Sequence, residues 1–181
     1  MRIRQAQASD CREIARVHVA SWRTTYRGLL SSGFLNGLSE AQRERGWQQA
    51  LQHPQPHELL LVLEALGGEI VGFVNGGRRR KQDEDTEAEL YALYLLEDMQ
   101  GKGYGRALFG ALVHHLAGHG YRALEVSVLA GNPAEAVYRH WGGQRTGSQQ
   151  IRGSDPGRNP ASLVQAGRIP VGWETPGVRC V

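Results

Sequence analysis

Apolar residues recur at helical spacing near the start of the chain. Ile14, Val17, His18 and the Ser21–Trp22 pair follow Ser9 and Asp10, both good N-caps, and predict a first helix over about residues 10–22. Ile3 marks a short strand before it. Arg23 to Gly33, with Tyr26, Arg27 and Leu29–Leu30, reads as a loop or short helical turn. Ser39 followed by Gln42 is a capping-box pattern, in which the serine oxygen accepts from an otherwise unpaired amide of the first turn. The second helix it opens carries Trp47 and Leu51 and stops at Pro54 and Pro56.

The period then changes. Leu59 to Glu64 is an apolar run of strand length, Gly67–Gly68 a turn, and Glu69 to Asn75 a second strand, which together predict a hairpin. Arg78 to Asp85 holds four basic residues and then three acidic ones, and is expected to be a solvated loop tip rather than a ligand contact. Leu90 to Leu96 is apolar on both parities, the pattern of a central strand buried on both faces. Helical spacing returns at Ala107, Leu108, Ala111, Leu112 and Leu116 and stops at Gly118 and Gly120. Ala123 to Leu129 is another strand. Asn132-Pro133 opens a helix that runs to about His140 and ends at Gly142–Gly143. Gln144 to Gly167 reads as a long loop, with room for a short strand on either side, and Ile169 to Trp173 is expected to close the sheet. The predicted order is β-α-α-β-β-β-α-β-α-β-β, an α/β chain of α+β type with a central mixed sheet flanked by helices.

At 181 residues this is expected to be one domain over residues 1–175 with a disordered tail at 176–181. A net charge of +3 is too small to indicate a nucleic-acid partner. Cys11 and Cys180 stand far apart with no metal spacing, which fits a reducing compartment. The first residues lack a signal core and no apolar run is long enough to cross a membrane, so a cytoplasmic protein is expected. His115 and His119 share a helix face, and a solvated face explains them better than a metal site without a third ligand.

The most informative stretch follows the central strand: Gln100-Gly101-Lys102-Gly103-Tyr104-Gly105-Arg106, three glycines in five residues before a strongly patterned helix. Consecutive amides in such a loop form an anion nest, and the helix behind presents its positive end, an arrangement suited to phosphate. The loop does not fit the other common phosphate motifs. Gly103 follows Lys102 where a P-loop needs Ser or Thr, and neither Gly101 nor Gly103 starts a G-x-G-x-x-G.

Gln100-x-x-Gly103-x-Gly105 after an apolar strand resembles the pyrophosphate loop of the GNAT superfamily of N-acetyltransferases. Asn132-Pro-Ala-Glu-Ala-Val-Tyr138, ending in Gly142–Gly143, resembles the family's segment after the fifth strand, and Trp22-Arg-Thr-Thr-Tyr26-Arg27 the first-helix region of many bacterial members. The resemblance spans about residues 2–173. It implies a single N-acetyltransferase domain that moves an acetyl group from acetyl-CoA to a primary amine by direct attack in a ternary complex. The alternative on the same fold is a non-catalytic acyl-CoA-binding or regulatory module. Homodimers are common in the family.

That chemistry assigns expectations to residues. The backbone from Gln100 and Gly101 through Lys102, Gly103, Tyr104 and Gly105 to Arg106 would hold the pyrophosphate. The edge of Leu93, Tyr94 and Leu95, where the family's sheet splays, would pair with the pantetheine arm, and one of its amides would serve the tetrahedral oxyanion. Asn132 would hydrogen-bond the arm or cap its helix. A phenol keeps its proton at neutral pH, so Tyr138 is the candidate acid for the leaving thiolate; the alternative is a tyrosine that packs its helix onto the sheet. Glu89 is the candidate base, through water, with Glu125 in reserve. Trp22, Tyr26 and Arg27 lie where relatives form a wall of the acceptor site, although Trp22 equally suits core packing.

Overall fold

A computed structural model describes residues 1–79, 87–150 and 162–170. Strand β1 (Arg2–Gln5) leads through a 3-10 turn (Ala8–Asp10) into helix α1 (Cys11–Thr25), followed by α2 (Ser32–Asn36) and α3 (Glu40–Gln52). Strands β2 (Leu59–Glu64), β3 (Ile70–Arg78) and β4 (Glu87–Leu95) come next, then α4 (Tyr104–Gly118), β5 (Ala123–Leu129), α5 (Ala134–His140), β6 (Gly147–Gln150) and β7 (Ser162–Pro170). The strands form one mixed sheet in the order β1-β2-β3-β4-β5-β7-β6, with β4 at its centre.

Local chemistry explains most element ends. The Ser39 hydroxyl accepts from the Gln42 amide at 3.2 Å and opens α3 as the capping pattern requires. Ser31 does the same for Phe34, at 3.3 Å, and so builds α2, a short helix where the sequence predicted only a loop or turn. Asp10 does not cap α1 as expected. Its carboxylate turns back to the Gln7 amide (2.8 Å) and to Arg4 (2.7 Å), closing the 3-10 turn instead. Arg4 also reaches Glu64 at 2.6 Å, so one guanidinium ties β1, the turn and β2 together.

Each face of the sheet carries its own core. On one side Leu61, Leu63, Val74, Ala88, Leu90 and Leu124 pack under Leu108, Phe109, Leu112 and Leu116 of α4 and Tyr138 and Trp141 of α5. On the other, Leu60, Val62, Ile70 and Phe73 pack under Cys11, Ile14 and Val17 of α1 and Trp47 of α3. Burying one such side chain contributes about 1.5–3 kcal/mol, so both layers are firmly attached.

Two expectations are corrected at the centre and at the far edge. Strand β4 begins at Glu87, before the predicted start, and its second half is not buried on both faces: Tyr91 to Leu96 are half-exposed. The last described strand, Ser162–Pro170, begins seven residues before the predicted Ile169 and pairs antiparallel with β5 from Leu163 to Pro170; Val171 to Trp173 lie outside the described residues. Arg79 is neither a solvated tip nor a ligand contact. It pairs with Glu87 at 2.6 Å and with Glu125 at 2.5 Å, clamping β4 to β5. Arg80, Lys81, Asp83 to Asp85, Cys180 and the 176–181 tail lie outside the described residues.

Candidate active site

The central feature is a split in the sheet. Strands β4 and β5 run parallel and pair only from Glu87–Ala123 to Leu90–Val126. Beyond that rung, Ala92 to Leu95 pair with β3 alone and Ser127 to Leu129 with β7 alone, among the described residues. Leu93 and Leu95 turn toward the α4 core, and Tyr94 toward the α1 and α3 core. A β-bulge between Asn75 and Gly76 of β3 opposes Tyr91 and shifts the alternation, so Glu87 and Glu89 share the Tyr94 face.

The glycine loop stands at the mouth of this split. A 3-10 turn (Glu97–Met99) ends β4, and the Gln100 side chain donates to the Leu95 carbonyl at 3.1 Å. Gly101 and Gly103 have φ of 71° and 84°, the left-handed region that other residues enter only at a cost of about 1–2 kcal/mol. Gly103 is the N-cap of α4, and a Cβ at either glycine would meet no protein atom within 4 Å. The loop therefore faces open space with the unpaired amides of a fifteen-residue helix behind it. Lys102 is exposed at its tip and Arg106 is half-buried one turn into the helix. Tyr104 packs on the α4 core, so only its backbone faces the loop.

Side chains from both faces meet in the split. Tyr138 belongs to the α4 core, 6% exposed, with its ring 6.2 Å from Phe109 and 5.7 Å from Trp141. Tyr94 comes from the opposite face, and its hydroxyl lies 3.3 Å from that of Tyr26 at the end of α1. Asn132 is buried, accepts from the Ala134 amide at 2.9 Å and hydrogen-bonds the Tyr26 hydroxyl. Both expectations for Asn132 thus have a geometric counterpart: it caps the turn into α5 and reaches the split. Burial pushes the Tyr138 phenol well above the ordinary tyrosine range, with the neighbouring Tyr26 adding to the effect. Tyr94 and Tyr26 are raised by burial too. All three phenols keep their protons at neutral pH.

The other expected residues are more dispersed. Glu89 is half-buried in the paired part of β4, opposite Gly77 and Glu125. It stands five residues before Tyr94, about 16 Å along an extended strand. Glu125, the reserve base, is bound by Arg79 and is no longer a free proton acceptor. Arg27 is exposed in the tight turn after α1. Trp22 is half-buried and packs edge-on against Tyr26, with ring centroids 4.9 Å apart.

Sequence reasoning missed a second element. A cavity of about 720 Å³ lies between α1, α3 and the sheet on the Tyr94 face, and His18, Trp22, Arg43, Glu58, Asn75 and Tyr94 are among its walls. His18 stacks on Tyr94 with centroids 5.1 Å apart. Burial, with the Arg43 charge nearby, lowers its pKa to about 3, so the imidazole is neutral. The available signal was one amide, Asn75, ending an otherwise apolar run on β3. Elsewhere the rings of His57 and His115 both lie within 4.5 Å of His119, yet among the described residues no group of side chains is arranged to hold a metal ion. No helix of the described residues is long and apolar enough to cross a membrane.

Known proteins share this architecture. The model of the acetyltransferase (GNAT) family matches residues 20–142. An uncharacterized N-acetyltransferase of Bacillus subtilis (strain 168) is 34% identical over 143 residues, covering 79% of this chain and 80% of the relative. Among solved structures, an N-acetyltransferase from Staphylococcus aureus Mu50 superposes with a TM-score of 0.72 at 19% identity, over 94% of this chain and 98% of that one. A GNAT superfamily phosphinothricin acetyltransferase from Sinorhizobium meliloti, solved with acetyl-CoA, gives 0.70 at 22% identity, over 98% and 94%. The likeness to these two structures is one of fold. The family match and the Bacillus relative go further, and together with the split sheet and its glycine loop they make this chain a member of the acetyltransferase (GNAT) family.

Proposed function

We propose that this acetyltransferase carries the acetyl group of acetyl-CoA directly to a primary amine inside the split between β4 and β5. The observation that carries the reading is the inner edge of Ala92 to Leu95, which among the described residues pairs with no strand on that side, with the Gly101–Gly103 turn at its mouth. An amide-bearing pantetheine arm is chemically a strand, and Leu93 to Leu95 offer it ladder partners. Backbone amides from Gly101 to Arg106 and the positive end of α4 suit the pyrophosphate. Acetyl-CoA bound to the phosphinothricin acetyltransferase of the same fold supports this choice of donor.

The attacking amine must be neutral, and the thioester carbonyl must be polarised. A β4 amide serves as the oxyanion donor, and its worth grows as the bound cofactor and acceptor displace water from the half-exposed strand. The amine nitrogen bonds to the carbonyl carbon and the carbon–sulfur bond breaks. Tyr138 donates its phenolic proton to the departing sulfur, and the proton lost by the nitrogen passes through water toward Glu89. The cavity beside Tyr94, opening on the face that also carries Glu89, suits the acceptor, with Trp22 and Tyr26 between it and the split.

Thiol release from acetyl-CoA, followed across a panel of primary amines, tests the reading. Amine-dependent release with recovery of the N-acetyl product is expected. Tight CoA binding without turnover on any amine would favour a non-catalytic acyl-CoA-binding module instead.

A further inference from the structure

The cavity between α1, α3 and the sheet contains one cation without a carboxylate partner. Arg43 lies with its guanidinium 5.0 Å above the Trp22 ring, and among the described residues no acidic side chain pairs with it. The acidic wall of the cavity is already satisfied: Glu58 accepts from the Asn75 amide at 2.9 Å and from the Gln55 backbone at 2.7 Å. The floor holds a second unmet group. His18 is 8% exposed and its Nδ1 has no hydrogen-bond partner. A buried polar atom without a partner costs about 1–3 kcal/mol. Trp22 links the two ends of the site. It touches Arg43 on one side and Tyr26 on the other, and Tyr26 meets Tyr94 at the split.

We infer that the acceptor is a primary amine tethered to a carboxylate: the amine reaches the split and the carboxylate pairs with Arg43. A guanidinium fork fits a carboxylate by two parallel hydrogen bonds, and a single fork matches its single charge better than the double charge of a phosphate. The aromatic walls contributed by Trp22 and Tyr94 suit an apolar stretch between amine and acid. This inference rests on the acetyl-transfer reading above and narrows its acceptor class.

The test compares amino acids with their own carboxamides, pair by pair, as acceptors at saturating acetyl-CoA. The acid of each accepted pair should exceed its amide at least tenfold in kcat/KM. Arg43→Gln should bring that ratio close to one by raising the KM of the acid, with the KM for acetyl-CoA and the melting temperature unchanged. Arg43→Lys, which keeps the charge and loses the fork, should restore part of the preference. Equal turnover of acids and amides by the wild type would overturn the inference and leave acetyl transfer standing, as would an unchanged preference in Arg43→Gln. Failure to acetylate any amine, with CoA shown to bind by its thermal shift, would refute acetyl transfer and this inference together.

Discussion

Replacing Tyr138 by Phe separates the packing of its ring from the proton donation proposed for its hydroxyl. The ring fills a space against Phe109 and Trp141 in the α4 core, and a phenylalanine ring fills the same space. Loss of one buried hydroxyl costs about 1 kcal/mol of stability, which in a domain of this size moves the melting temperature by about 2–4 °C. The chemical effect is larger. General acid help contributes about 10²–10⁴-fold, or roughly 3–5 kcal/mol of barrier, and phenylalanine has no proton to give. Tyr138→Phe is therefore expected to lower kcat at least about 10²-fold while CoA affinity holds. Tyr138→Ala is the packing control. It opens a cavity worth about 3–5 kcal/mol and should lower the melting temperature by on the order of 10 °C. Tyr26→Phe removes the neighbouring hydroxyl, which the argument uses only to position others, and should cost less than about tenfold. The assay is single-turnover thiol release with a productive amine in hand. A Tyr138→Phe enzyme within a few-fold of wild type would refute the proton donor, and a Tyr26→Phe enzyme slower than it would move the role to Tyr26.

Three further outcomes follow from the same geometry. CoA at one hundred times its dissociation constant should stabilise the fold by about 2.7 kcal/mol in a thermal melt, and Gly103→Val should remove that shift, because a Cβ at φ 84° strains the turn and intrudes on the space in front of it. Arg79→Ala leaves the buried Glu87 and half-buried Glu125 carboxylates without their shared cation and should cost roughly 2–3 kcal/mol in denaturant unfolding. His18 has a folded pKa of about 3, below its unfolded value, so its contribution is present above pH 6.5 and is lost as the pH falls. At pH 4.5 that loss amounts to about 2–3 kcal/mol, and the melting temperature of His18→Phe should fall less steeply with acid than that of wild type.

Local signals were legible in the sequence and distant pairings were not. Leu59–Glu64 and Ala123–Leu129 appear with the bounds their apolar runs predicted, and the Ser39 cap sits where its spacing put it. Helix α1 runs to Thr25, past its predicted end, and its ladder still closes there, the Tyr26 amide donating to the Trp22 carbonyl at 3.0 Å. Strand β7 starts earlier than its apolar pattern announced, because pairing with β5 from Leu163 onward holds residues that read as loop. The glycine loop was readable since all its parts are contiguous. The cavity was not: His18, Arg43, Glu58 and Asn75 come from four different elements or connections, and nothing in the spacing of one announces the others. The half-exposure of Tyr91 to Leu96 was hidden for a related reason. A strand that lies beside a gap carries the same apolar residues as one that lies beside a neighbour.

Most sheets show unpaired backbone only at their outer strands, where charge, proline or brevity deters other chains from adding on. Here an edge lies in the middle of the sheet, and the five residues Tyr91-Ala92-Leu93-Tyr94-Leu95 bring neither charge nor proline to guard it. Its protection is geometric. Because β4 and β5 are still bonded at the Leu90–Val126 rung, the gap opens from a fixed hinge, as a wedge. A wedge admits one slender extended arm and excludes the flank of another sheet. In the proposed reading, a molecule that fills it acts as a missing strand and restores lateral continuity between the two halves. Substrate occupancy and the mechanical integrity of the sheet would then be coupled.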